Sequence, residues 1–159
     1  LQAVPRVESY RGFVFGSLNP DVPSLEEHLG ETRRALDLVC DQSPDGLEVL
    51  PGVQTYTYDG NWKLQAENGV DGYHVGTIHR NYIDTVSQRM AADRGDQVAT
   101  VDVGNLSELP GGYFDFGNGN TLLWNEWPNP HVRPLYARRD ELKEQFGEAR
   151  SRWMTSYLR

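Results

Sequence analysis

The chain has 159 residues, 38% of them hydrophobic and 24% charged, which suits one domain with a real core and excludes a disordered chain. Its net charge of −8 argues against a nucleic-acid or anionic-membrane partner, because neutralising phosphate needs a basic surface. The single cysteine, Cys40, allows neither an internal disulfide nor a Cys-rich metal site, and no apolar run reaches the length of a membrane span.

In chain order, YRGFVFGSL (10–18) alternates Phe13, Val14 and Phe15 and predicts a strand. Ser24 with Glu27 forms a capping box, so a helix is expected over 25–39, with Leu25, Leu29, Leu36 and Val39 as its apolar stripe. DQSPDG breaks it. Two strands are expected at 47–50 and 53–58, with Tyr56 and Tyr58 on one face. Asp59-Gly60 is a turn, and Asn61 is placed to cap a helix from Trp62 to Val75. Residues 83–97 fit helix or loop. QVATVDVG (97–104) predicts a strand, and GGYFDFGNGN with TLLWNEW predicts a hairpin whose strand carries Trp124 and Trp127 on opposite faces. PNPHVRP is loop. A last helix starts near Asp140, with Leu142, Phe146, Ala149, Trp153 and Tyr157 on its buried side. The fold class is α+β, an antiparallel sheet with packed helices. The chain opens at Leu1 without an initiator Met and stops at Arg159 after a good helix, so it is expected to be a piece of a larger protein. No signal-peptide pattern opens it, and a cytoplasmic setting fits.

The chemistry concentrates in NWKLQAENGVDGYHVGTIHRNY, residues 61–82. On a regular helix Glu67, Asp71 and His74 fall within about 60° of one another, and His79 lies about 140° from His74. Both rings meet one metal only if the helix ends or loosens between them, for which a π-type turn is one device. Glycines at 69, 72 and 76 cost helix stability, about 1 kcal/mol each against alanine, which points to a close approach or a bend. Two imidazoles and a carboxylate make the facial triad of non-haem Fe(II) oxygenases. Three readings follow: such an oxygenase; a non-enzymatic ligand-binding α+β domain with structural histidines; and a metal site complete within the chain with Asp71 as ligand. His28 and His131 have no evident partner and read as surface or structural residues, and Cys40 as a small buried apolar one. A substrate carboxylate wants an arginine fork, for which Arg80, Arg89 and Arg94 are candidates.

The wider string resembles the catalytic domain of Rieske-type aromatic-ring-hydroxylating dioxygenases, large (α) subunit, whose pattern E-N-x-x-D-x-Y-H-x-x-x-x-H is matched at Glu67, Asn68, Asp71, Tyr73, His74 and His79. YRGFVFGSLNPDV, DQSPDGLEVLPG, LLWNEWPNPHVRP and FGEARSRWM extend it over nearly the whole chain and look most like the benzoate, halobenzoate and anthranilate branch. The resemblance implies that His74 and His79 ligate a mononuclear Fe(II). It makes Asp71 a hydrogen-bonding bridge from the ligand histidine to a Rieske-cluster histidine of a neighbouring subunit, and it puts Asn68 near the active site. It implies that residues 1–159 are part of a helix-grip type catalytic domain, with the third iron ligand and the Rieske [2Fe–2S] domain outside them, so that the fragment alone is expected to be inactive. Arg80 stands where relatives tend to carry an aromatic residue. The implied reaction is cis-dihydroxylation of an aromatic carboxylate with O2 and electrons from NADH through a reductase. The implied partners are β subunits and other α subunits in a trimer-based assembly.

Overall fold

The computed structural model describes residues 3–92 and 108–157. They form two compact units, one from the described residues of 1–47 and 114–122, the other from those of 48–113 and 123–159. The expected strand at 97–104 and the end of the ambiguous 83–97 segment lie outside the described residues.

In the first unit β1 (Arg6–Tyr10) and β2 (Phe13–Ser17) pair antiparallel, with Tyr10 opposite Phe13 and Arg6 opposite Ser17. The strand expected at 10–18 is therefore the second arm of a hairpin. Its turn is Arg11-Gly12, with φ of 53° and 90°, the left-handed pair that a two-residue hairpin turn needs. Helix α1 (Leu25–Leu29) is capped as expected, with Ser24 Oγ accepting from the Glu27 N–H at 3.2 Å. It does not run on to 39. Gly30, at φ 48°, ends it, and α2 (Thr32–Cys40) starts afresh. The break lets Leu29 and Cys40 be buried while Val39 is exposed. Tyr10 donates its hydroxyl proton to Asp37 at 3.0 Å, and Arg11 pairs with Asp41 at 2.5 Å, tying the hairpin to α2. Asn118 and Asn120 each donate a side-chain N–H to the His28 carbonyl at 3.0 Å, fastening a second hairpin's tip to α1.

The second unit holds α3 (Trp62–Asn68), α4 (Val75–Ile78) and α5 (Arg80–Ala92). Strands β3 (Gly111–Asp115) and β4 (Thr121–Asn125) form the hairpin expected from its Gly/Asn turn. The strands expected at 47–50 and 53–58 do not form. Val49 and Val53 are 93% and 90% exposed, and Tyr56 and Tyr58 lie on no sheet. Their alternation fits a pleated surface, but an unpaired strand has no partner for its backbone groups. Trp127 lies beyond the end of β4, so it does not share a strand with Trp124. The stretch PNPHVRP is wound into short 3₁₀ turns at Pro130–Val132 and Pro134–Arg138.

The C-terminal helix breaks as well. Helix α6 (Arg139–Phe146) ends at Gly147, and α7 (Glu148–Arg152) runs into a π-type turn at Trp153–Tyr157. The break shifts the phase of the expected stripe. Leu142 stays buried, but Ala149 is exposed, and Ser151, Met154, Thr155 and Ser156 take the inner positions. Trp124, Trp153 and Tyr157 meet with ring centroids 5.0–5.6 Å apart, a geometry aromatic rings favour. Gly147 adopts φ 85°, ψ 164°, a region almost closed to other residues. A Cβ there meets nothing within 4 Å, so the cost of adding one is purely backbone strain. Gly147→Ala is expected to destabilise the protein by about 1–3 kcal/mol, read as a lower denaturant midpoint with unchanged slope. An unchanged midpoint would show that the turn relaxes freely.

Candidate metal centre

The opening helix of the motif is shorter than its pattern. Asn61 Oδ1 accepts from the Lys63 N–H at 3.0 Å and starts α3 as expected. Helix α3 then stops at Asn68, with Gly69 as its cap. Glu67, Asp71 and His74 therefore do not share a helical face. Asp71 and His74 meet through a turn instead, and the Glu67 carbonyl accepts from the Asp71 N–H at 3.0 Å.

The chain ends a helix on each side of the five-residue step. His74 is the N-cap of α4 and His79 its C-cap, at φ −95°, ψ 15°. This is the first of the two devices the spacing required, an ending helix rather than a π-type turn. Of the three glycines only Gly69 is crowded, since a Cβ there would lie 3.3 Å from the Ala66 carbonyl oxygen. All keep φ out of the left-handed region. A Cβ on Gly76 would meet nothing within 4 Å, and one on Gly72 would make ordinary contact with Leu123 at 3.7 Å. Gly69 stands where α3 ends.

The result is a convergent pair. His74 Nε2 and His79 Nε2 are 3.2 Å apart, their ring planes inclined by 62°. Asp71 sets the orientation. Its Oδ2 lies 3.1 Å from His74 Nδ1, and its Oδ1 accepts from the Tyr73 N–H at 2.8 Å. An ionised carboxylate can only accept, so the His74 proton on Nδ1 bonds Asp71 and Nε2 is the nitrogen that faces His79. The Tyr73 N–H first, and then the His74 ring, push the Asp71 carboxyl below its usual range. This contribution is full above the unfolded value and is lost as pH falls through the lowered one. The His74 carbonyl is held too, by the Thr77 hydroxyl at 2.9 Å and the Ile78 N–H at 2.8 Å. Val75, beside His74, is buried, whereas His79 is exposed.

These residues fit a metal. Two nitrogens each about 2.1 Å from one ion, at about 90–110° around it, lie about 3.0–3.4 Å from each other. The observed separation falls in that interval, and the carboxylate behind a ligating imidazole is the usual outer-shell partner. The described residues contain no group of three or more His, Cys, Asp or Glu side chains placed to hold an ion. Asp71, with both oxygens already engaged, faces the far side of His74 from the gap.

Asn68 is the last residue of α3, exposed, and makes no side-chain hydrogen bond to Asp71, His74 or His79. Arg80 follows His79 on α5 and lies 3.8 Å from Asp84, one turn on. Arg94 falls outside the described residues. The Tyr73 N–H and the Thr77 hydroxyl were not legible as site groups, because a backbone donor and a back-bonding hydroxyl leave no spacing signal.

Residues 47–157 match the family model described as ring hydroxylating alpha subunit (catalytic domain). The chain is 52% identical to toluate 1,2-dioxygenase subunit alpha of Pseudomonas putida, over all of this chain and 35% of that protein. It is 53% identical to 2-halobenzoate 1,2-dioxygenase large subunit of Burkholderia cepacia, over 93% of this chain and 32% of that one. In three dimensions it resembles naphthalene 1,2-dioxygenase from Rhodococcus sp. bound to indole, with a TM-score of 0.74 at 26% identity, covering 99% of this chain and 34% of that structure. The chain thus spans about a third of the length of the relatives it matches. It belongs to the ring-hydroxylating α-subunit catalytic-domain family.

Proposed function

We propose that the subunit containing this chain is the oxygenase component of a dioxygenase that adds both atoms of O2 to adjacent ring carbons of a benzoate-like carboxylate. The carrying observation is the His74–His79 pair, its Nε2 atoms 3.2 Å apart with Asp71 behind the first ring. His74 and His79 would hold a mononuclear Fe(II), and the third ligand and a Rieske [2Fe–2S] centre would come from outside residues 1–159. Bound there, iron supplies the activation of dioxygen. The chain's own residues orient the ligands: Asp71 fixes the protonated nitrogen and tilt of His74, while Thr77 and Ile78 pin its backbone. Asp71 is also the candidate bridge to a Rieske histidine of a neighbouring α subunit, and Asn68 a candidate residue of the active-site rim. Electrons would arrive from NADH through a reductase, in an assembly of α and β subunits in the cytoplasm. Among the described residues no helix is long and apolar enough to cross a membrane.

The names of the relatives support the substrate class, since toluate and 2-halobenzoate are aromatic carboxylates. The test is to supply the full-length oxygenase with reductase, NADH and benzoate under ¹⁸O2. A cis-diol carrying two labelled atoms is the expected product. A single labelled atom, or no product with the iron fully loaded, would refute the reaction.

A further inference from the structure

Arg133 is built into the loop ahead of the last helix. It lies between the two 3₁₀ turns at φ −81°, ψ 132°, the extended form that the following Pro134 imposes. Its N–H donates to the Pro130 carbonyl at 3.0 Å. The guanidinium carbon lies 5.9 Å from the centre of the Trp127 ring, and Trp127 is itself held by its N–H on the Ser156 carbonyl at 2.9 Å. One guanidinium nitrogen, Nη1, makes a long 3.4 Å contact to the carbonyl of buried Thr155. The remaining donors of the fork, out of five N–H groups, meet no acceptor among the described residues.

The contrast with other arginines is in the counter-ion. Arg11, Arg138 and Arg152 reach Asp41, Glu141 and Glu126 at 2.5–2.7 Å. Arg133, half-buried, makes no ion pair among the described residues, and burial alone pushes its pKa down. A partly desolvated cation without an anion is costly, and a neutral carbonyl at 3.4 Å does not compensate the charge. The planar fork matches a carboxylate bidentately.

We propose that Arg133, laid over Trp127, is a receptor for a carboxylate. The carboxylate comes either from the aromatic acid substrate or from an Asp or Glu side chain of the subunit outside the described residues. Only the substrate source rests on the proposed function.

The test uses full-length oxygenase as wild type, Arg133→Met and Arg133→Lys, with iron content, Tm and the affinities for benzoate and toluene measured in each. Methionine keeps an apolar stem over Trp127 and removes the charge. If substrate is the source, benzoate affinity falls about 10–100-fold in Arg133→Met, toluene affinity holds, and Tm is unchanged. If the subunit is the source, Tm falls by several degrees in Arg133→Met and recovers in Arg133→Lys, with neither affinity selectively lost. Unchanged Tm and affinities in both variants overturn the proposal, as does an equal fall of Tm in both, which would mean packing on Trp127 alone. Failure of the wild type to load iron or bind benzoate would instead count against the proposed function, and the Tm comparison would still decide whether Arg133 meets an acid.

Discussion

His74→Ala and His79→Ala in the full-length subunit are each expected to remove the mononuclear iron and abolish ring dihydroxylation, while the [2Fe–2S] absorption remains. The two rings offer their Nε2 atoms to one point from either end of a four-residue helix. The described residues bring no further ligating side chain to that point, so nothing in this stretch can substitute for a lost imidazole. A three-ligand site with open positions has no redundancy. Metal analysis before and after gel filtration reads the loss directly. Iron loaded normally after either substitution would show that the pair is structural, with one histidine simply donating to the other.

Asp71→Ala is expected to separate holding the metal from using it. The carboxylate touches His74 at Nδ1, not at the nitrogen that faces His79. Its removal therefore leaves both imidazoles in place but frees the His74 ring to turn. Loss of such an outer partner costs about 10–100-fold in metal affinity or activity. Iron loading at saturating Fe(II) should therefore persist while turnover falls by at least that factor. If Asp71 also bridges to a Rieske histidine of a neighbouring subunit, reoxidation of the reduced cluster slows as well. Asp71→Asn, which keeps a carbonyl acceptor for the Nδ1 proton, should retain more activity than alanine. Complete loss of iron in both variants would make Asp71 a ligand and revive a site complete within the chain.

Local signals in the sequence hold where a single turn of chain satisfies them. Ser24 with Glu27, and Asn61 ahead of Trp62, capped the helices they were expected to cap, because a cap needs only its own first turn. The pairing of β3 with β4 followed from its Gly/Asn turn. Helix ends are less legible. The periodicity of 25–39, 62–75 and 140–157 runs through Gly30, Gly69 and Gly147, yet each glycine closes a helix. A stripe of apolar residues reports which side is inward but not where the backbone restarts, so the pattern points Ala149 inward while the fold buries Ser151. The unformed strands at 47–50 and 53–58 have the right alternation, but pairing depends on another segment, which composition does not reveal.

At the site, the five-residue step between His74 and His79 demanded an interrupted helix, and the structure supplies one. The same step could not say how the interruption is made. It also could not choose between Asp71 as ligand and Asp71 as anchor, since an aspartate three residues before a histidine serves either. The hydrogen bond to Nδ1 supports the anchor reading, and the Asp71 variants decide between the two. Arg133 gives no signal, because lacking an ion-pair partner among the described residues has no sequence pattern.

The most direct measurement of the central claim is to count the histidine nitrogens on the mononuclear iron by pulsed EPR of its nitric oxide adduct in the full-length oxygenase. Two imidazole couplings in the wild type are expected, and two again in Asp71→Asn. A spectrum with one imidazole coupling or none, in protein that carries its iron, would contradict the assignment of His74 and His79 as joint ligands.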